Sequence, residues 1–233
     1  MTIRFCCLSD IFDPTREEQF LFDGIGVNDN AASCAGIILS NGSEARAESL
    51  LTAGAKQVLI GEAALLDSGS IERLVGKYGK ERVGLYVPVR NLAVDWSFET
   101  ISNADFKVVT PSLCEPTWEV LRADGSGTGT HAGWWINQMV DLGAQTVLLH
   151  VDIENDVDLN LCAGLVEKLG EQLWVAPRTS CTPPLAEWIA FGQVRQLALP
   201  ADLYQQRETW QCHGSAEESV EASSSRSCLK RAS

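Results

Sequence analysis

The chain has 233 residues, 45% of them hydrophobic, which suits one domain with a sizeable buried core and is near the usual length of a (β/α)8 barrel. A formal net charge of -13 and an isoelectric point near 4.6 argue against nucleic acid or an anionic membrane surface as a partner. There is no run of about 18 apolar residues and no basic segment followed by an apolar one, so neither a membrane span nor a signal peptide is expected, and the chain reads as cytoplasmic.

Residues 3–8 (IRFCCL) predict a strand ending in Ser9-Asp10, after which Asp13-Pro14 turns into a short helix over 15–19. A second strand is expected at 20–22 and a third at 35–39. The third closes in Ser40-Asn41-Gly42-Ser43, where Ser43 can cap a helix starting at Glu44. Then come a helix over 44–52, the small-residue hinge Ala53-Gly54-Ala55, a strand over 57–60, Gly61, and a helix over 71–78. The next strand, 82–87, is broken by Pro88. Periodicity fades between 91 and 117, which reads as an inserted loop with one strand at 106–109. Residues 118–121 predict a strand or hairpin arm leading into the turn at Asp124-Gly125-Ser126-Gly127.

The most regular stretch follows. Ala132, Trp135, Met139 and Leu142 recur at helical spacing, with Thr130 as the expected cap and His131 as the opening residue. Leu142-Gly143-Ala144 ends that helix, and 146–151 (TVLLHV) is an apolar run fit for a strand buried on both faces. Asp152, Glu154, Asp156 and Asp158 precede a helix over 159–169, followed by a strand at 173–176, a helix at 184–191 and a strand at 194–199. Repetition of helix, glycine and strand with short connections implies parallel strands wrapped by helices, either in a closed (β/α)8 barrel or in an open doubly wound sheet. Residues 211–233 shift to Ser, Glu and Ala and read as a disordered tail, leaving 1–210 as a single domain.

Cys6, Cys7, Cys34, Cys114, Cys162, Cys181, Cys212 and Cys228 show no CxxC or Cys/His ligand spacing. Most of them read as small core residues in a reducing compartment, so no zinc site, disulfide framework or other cofactor is expected. His150, inside a buried strand, reads as a satisfied core histidine before an acid–base group, with Asp152 close by in sequence keeping the second role open.

From Trp118 the order WEV, TGTHAGWWINQMVDLGAQTVLLHVD, DLNL resembles the cyclase subunit of imidazole glycerol phosphate synthase. Residues 50–65 (LLTAGAKQVLIGEAAL) are similar to the same region of that cyclase and of its sister family, the phosphoribosylformimino-aminoimidazole carboxamide ribotide isomerases. The resemblance covers roughly 36–90 and 118–204. It implies a closed TIM-type barrel of the ribulose-phosphate-binding kind, a phosphorylated sugar or ribotide as ligand, and a glutamine-amidotransferase-type partner. It also implies a carboxylate pair for acid–base chemistry, which falls on Asp10 and Asp152. Ser9 stands where the family's first aspartate is expected, with Asp10 one residue later, and Tyr86-Val87-Pro88 stands where the strand-five carboxylate would be.

The phosphate-binding residues that the resemblance implies are Gly42, Ser43, Gly61, Thr128, Gly129, Arg178 and Thr179. About 25 residues separate the first strand from the third, where two full units need roughly 60. The front of the barrel is therefore expected to be shortened, by a missing helix or by incomplete closure. Two functions follow from the resemblance: a cyclase-like or isomerase-like enzyme with an altered substrate, or an inactive binding or interaction module without the strand-five base.

Overall fold

The computed structural model describes residues 2–16, 18–92, 100–103, 106–109 and 116–211. Eight parallel strands close into a barrel. They are β1 (Arg4–Ser9), β2 (Gln19–Phe22), β3 (Gly36–Leu39), β4 (Val58–Ile60), β5 (Val83–Asn91), β6 (Thr146–His150), β7 (Leu173–Ala176) and β8 (Gln196–Pro200). Each pairs with the next, and β8 closes on β1 from Arg4↔Gln196 to Leu8↔Pro200. This is a TIM-type α/β barrel, so the open-sheet alternative is excluded.

Alternation along the strands makes two cores. Cys6, Leu8, Phe20, Ile38, Leu59, Tyr86, Leu148, Trp174, Ala176 and Ala198 fill the barrel interior, where Phe20 and Trp174 meet edge to face at 5.4 Å. Their strand neighbours, among them Leu21, Ile37, Leu85, Leu149 and Val175, pack outward against the helices. With both faces buried, each strand reads as a continuous apolar run, and each large side chain removed from water contributes roughly 1.5–3 kcal/mol.

The barrel is complete, and what is missing is a helix. No helix joins β1 to β2 among the described residues; the expected helix over 15–19 is replaced by a turn at Pro14 and Thr15. Polar side chains hold that connector. Buried Gln19 accepts from the Asp13 N–H at 3.1 Å and donates to the Ile11 carbonyl at 2.7 Å, while Asp13 accepts from the Thr15 N–H at 3.0 Å. Between β2 and β3 there is only the four-residue helix Val27–Asn30.

The helices otherwise fall close to expectation: Glu44–Thr52, Gly69–Tyr78, Ala132–Asp141, Asp156–Leu169 and Leu185–Ala190. Ser43 caps the first by accepting from the Arg46 N–H at 3.3 Å, and Asn155 caps the fourth by accepting from the Asp158 N–H at 3.0 Å. Three short helices, Glu62–Leu66, Ala201–Tyr204 and Glu208–Gln211, were not expected; at one turn each they are too short to show a period. The Thr130 cap is corrected. Thr130 belongs to a strand, and His131 sits at the cap position without a side-chain capping bond.

Strand β5 does not break at Pro88. Its ladder with β4 ends at Leu85 and its ladder with β6 ends at Pro88, so the proline lies where barrel pairing stops. Beyond it, Val89 to Asn91 pair antiparallel with strand Trp118–Leu121, which forms a hairpin with Gly127–His131. The expected single strand in the insertion is one of a pair, Thr100–Asn103 against Phe106–Val109. The sequence-assigned tail, beyond Gln211, lies outside the described residues, as do Cys114, Cys212 and Cys228. Cys6, Cys7, Cys34 and Cys162 are buried free thiols, and Cys181 is an exposed one. No helix among the described residues is long and apolar enough to cross a membrane.

Gly143 shows why the helix–glycine–strand hinge needs its glycine. Its φ is +108°, and a Cβ there would meet Val75 Cγ1 at 2.9 Å. Gly143→Ala is expected to lower stability by about 1 kcal/mol or more, because left-handed strain and a packing clash act together. A urea unfolding curve with unchanged midpoint and slope would contradict this.

Candidate functional site

The C-terminal mouth of the barrel, where this architecture places its sites, is built from the ends of β3, β5, β6 and β7. Tyr86, Pro88 and His150 lie on the interior-facing positions of β5 and β6, adjacent because Leu148 pairs with Tyr86 and His150 with Pro88. With Ser40, Arg122 and Arg178 they line a cavity of about 150 Å³. The turn of the hairpin that follows β5 covers it through Leu121, Ala123 and Gly125. That turn is tied across the mouth, because the Ala123 N–H donates to Glu62 at 3.3 Å.

His150 is held at both nitrogens. Nε2 lies 3.0 Å from the Pro177 carbonyl, which can only accept, so Nε2 carries the proton and Nδ1 accepts from the Tyr86 hydroxyl at 2.6 Å. Burial, helped by the Arg178 charge, pulls the imidazole down to about 4 against the opposing pull of the Pro177 hydrogen bond and Asp152. Burial likewise raises the Tyr86 phenol, partly offset by Arg178. Both groups are therefore neutral near pH 7. Arg178 brings a cation beside them: its Nε is buried with no acceptor among the described residues, and its terminal nitrogen is 3.8 Å from Asp152.

Asp152 is locked in the loop after β7. Its carboxylate accepts from the backbone N–H groups of Arg178 at 3.0 Å, Thr179 at 2.9 Å and Ser180 at 3.1 Å, and also from the Thr179 hydroxyl. Burial pushes its pKa up, but the hydrogen bonds from Thr179, Ser180 and Arg178 outweigh it and hold the carboxyl below the usual range. An anion already surrounded by four donors is a poor proton carrier. Asp10 lies past the end of β1 with its side chain exposed, and neither aspartate lines the mouth cavity.

The other residues that the sequence nominated for phosphate are dispersed. Thr128 and Gly129 belong to the hairpin, where the Thr128 hydroxyl donates to the Val120 carbonyl at 2.6 Å and the Gly129 N–H to Glu119 at 3.0 Å. The Gly61 N–H donates to the Leu39 carbonyl at 2.9 Å, so it extends the sheet. Gly42 and Ser43 border a cavity of about 490 Å³ that also receives Glu44, Glu62 and Asp67. Arg73 pairs with Glu44 and Asp67 but leaves that cavity negative, which disfavours phosphate. Of the nominated set, only Arg178 reaches the mouth cavity. No family model and no curated protein matches the chain.

Sequence reasoning passed over Tyr86 and Arg122, and set a core role for His150 ahead of an acid–base one. A signal was available in strand parity: counting by two from Leu148 puts His150 inside, and the same count on β5 puts Tyr86 and Pro88 there. Among the described residues, no group of three or more His, Cys, Asp or Glu side chains is arranged to hold a metal.

Proposed function

We propose that this barrel binds a phosphorylated small metabolite, a sugar phosphate or ribotide, by its phosphoryl group at the mouth, as a diverged barrel of the ribulose-phosphate-binding kind. The observation that carries the reading is the pair of guanidiniums, Arg178 and Arg122, that line one cavity, with the Arg178 Nε–H buried and without an acceptor among the described residues. A buried, unpaired donor on a cation costs about 1–3 kcal/mol, and a phosphate oxygen removes that cost. The Tyr86 oxygen, its proton directed to His150, still accepts, so a ligand hydroxyl beside the phosphate has a partner.

The reading favours binding over chemistry by two carboxylates. Pro88 at the strand-five position has no proton to transfer, and Asp152 is occupied by the loop after β7. If the mouth catalyses a reaction, Tyr86 and His150 are the available acid–base couple.

Thermal denaturation with ribose 5-phosphate, ribulose 5-phosphate and aminoimidazole ribotides tests this. At a hundredfold excess over the dissociation constant a ligand stabilises by about 2.7 kcal/mol, roughly 5–10 °C for a chain of this size. Arg178→Gln is expected to weaken the binding about tenfold or more, as loss of a charge-assisted pair does. No shift with any of these compounds, or the same shift in the variant, would overturn the reading.

A further inference from the structure

On the same face of the barrel, another cavity of about 380 Å³ lies between the β1–β2 connector and the segment after β8. It is lined by Asp13, Thr15, Arg16, Tyr204, Gln205 and Arg207, none of which lines the mouth cavity. Its volume is within the range of small-molecule sites.

Two guanidinium groups lie there over one ring. The Arg207 Cζ lies 4.5 Å from the centre of the Tyr204 ring and the Arg16 Cζ 5.9 Å from it. Contact with a ring uses the face of a guanidinium and leaves its N–H edge available for a planar or tetrahedral oxyanion. Arg16 is further fixed by its Nε bond to Asp13 at 2.9 Å and by a terminal nitrogen on the Cys7 sulfur, leaving Nη2. Arg207 donates one terminal nitrogen to the Tyr204 carbonyl at 3.2 Å. Among the described lining residues, two guanidiniums accompany one carboxylate, Asp13. Screening by water weakens a lone exposed arginine, but the remaining Nη2 of a fixed Arg16 and the guanidinium of Arg207 set two cationic donors around one cavity.

We infer that this rim cavity is a second oxyanion site, which takes the phosphate or carboxylate group of a small metabolite between Arg16 and Arg207. It does not depend on the reading of the mouth, and the two are separable by experiment. Isothermal titration of the whole chain with inorganic phosphate is expected to show two sites in the wild type and one in Arg178→Gln. Adding Arg207→Gln to Arg178→Gln should weaken the remaining site about tenfold or more, with only partial recovery in Arg207→Lys, which keeps the charge but loses the fork.

Competition with malonate then identifies the group. Displacement of phosphate from the rim assigns a carboxylate ligand, and retention assigns a phosphate ligand. If the mouth reading alone is wrong, the wild type binds one phosphate, sensitive to Arg207 and indifferent to Arg178. The rim site is overturned if phosphate binding by Arg178→Gln is unchanged by Arg207→Gln. It is equally overturned if Arg178→Gln binds neither phosphate nor malonate in the millimolar range.

Discussion

Asp158→Ala is expected to lower the unfolding midpoint by roughly 6–12 °C, from a loss of about 3 kcal/mol in a chain of this size. Asp158 is fully buried and accepts from three elements: the Trp118 indole N–H at 2.9 Å, the Glu154 backbone N–H at 3.2 Å and the Asn91 amide at 3.4 Å. These bonds tie the hairpin and the extension of β5 to the start of helix Asp156–Leu169. Truncation leaves the Trp118 donor, itself 2% exposed, without a partner, while Asn91 and Glu154 lie nearer to solvent and recover part of their bonding. The helix also loses a negative group from its first turn, a further few tenths of a kcal/mol.

Two controls isolate the mechanism. Asp158→Asn keeps an acceptor for Trp118 but turns an amide N–H toward other donors, so about half the loss is expected. Trp118→Phe removes the indole donor, so Asp158→Ala should cost about 1–2 kcal/mol less in that background. Additive losses in the double variant would show that the Trp118–Asp158 bond does not carry the effect.

Local chemistry was the part of this fold legible in the chain. Ser43 caps its helix because a serine before Glu44 can satisfy a free N–H whatever the tertiary context, and Gly143 ends its helix because its φ is positive. The apolar run of β6 announced a strand buried on both faces, and it is one. Where a side chain from elsewhere in the fold takes over, the local signal misleads. The segment 15–19 has helix-compatible residues, yet Gln19 is drawn into β2 and its amide organises the connector. The Tyr86–His150 contact joins residues 64 apart in sequence, and it exists only because β5 and β6 are neighbours in one register. Arg122 enters the mouth on a hairpin whose end is fixed by Glu62, and no pattern around Arg122 records that tie. Asp152 was singled out by its type and place, but three of its partners are backbone amides of 178–180, which almost any sequence there would supply, and the fourth is the Thr179 hydroxyl.

That last contact separates the two roles open to Asp152. A carboxylate that moves protons for a substrate can be replaced by an amide with little change in the stability of the fold. A carboxylate that holds a loop cannot. Asp152→Asn is expected to destabilise by about 1–3 kcal/mol at pH 7, because its amide nitrogen would oppose the N–H groups of residues 178–180 that the wild-type carboxylate accepts. The pH dependence has a definite sign. The folded-state pKa of Asp152 is depressed below the unfolded value of about 3.9, so its contribution is present in full above that value and is lost as pH falls through the folded pKa. Wild type should therefore lose stability on acidification below about pH 4 more steeply than Asp152→Asn, and the two denaturation midpoints should converge in acid. Parallel curves for wild type and variant from neutral pH to acid, with equal midpoints at pH 7, would return Asp152 to the list of groups free for catalysis and release the loop after β7 from its dependence on it.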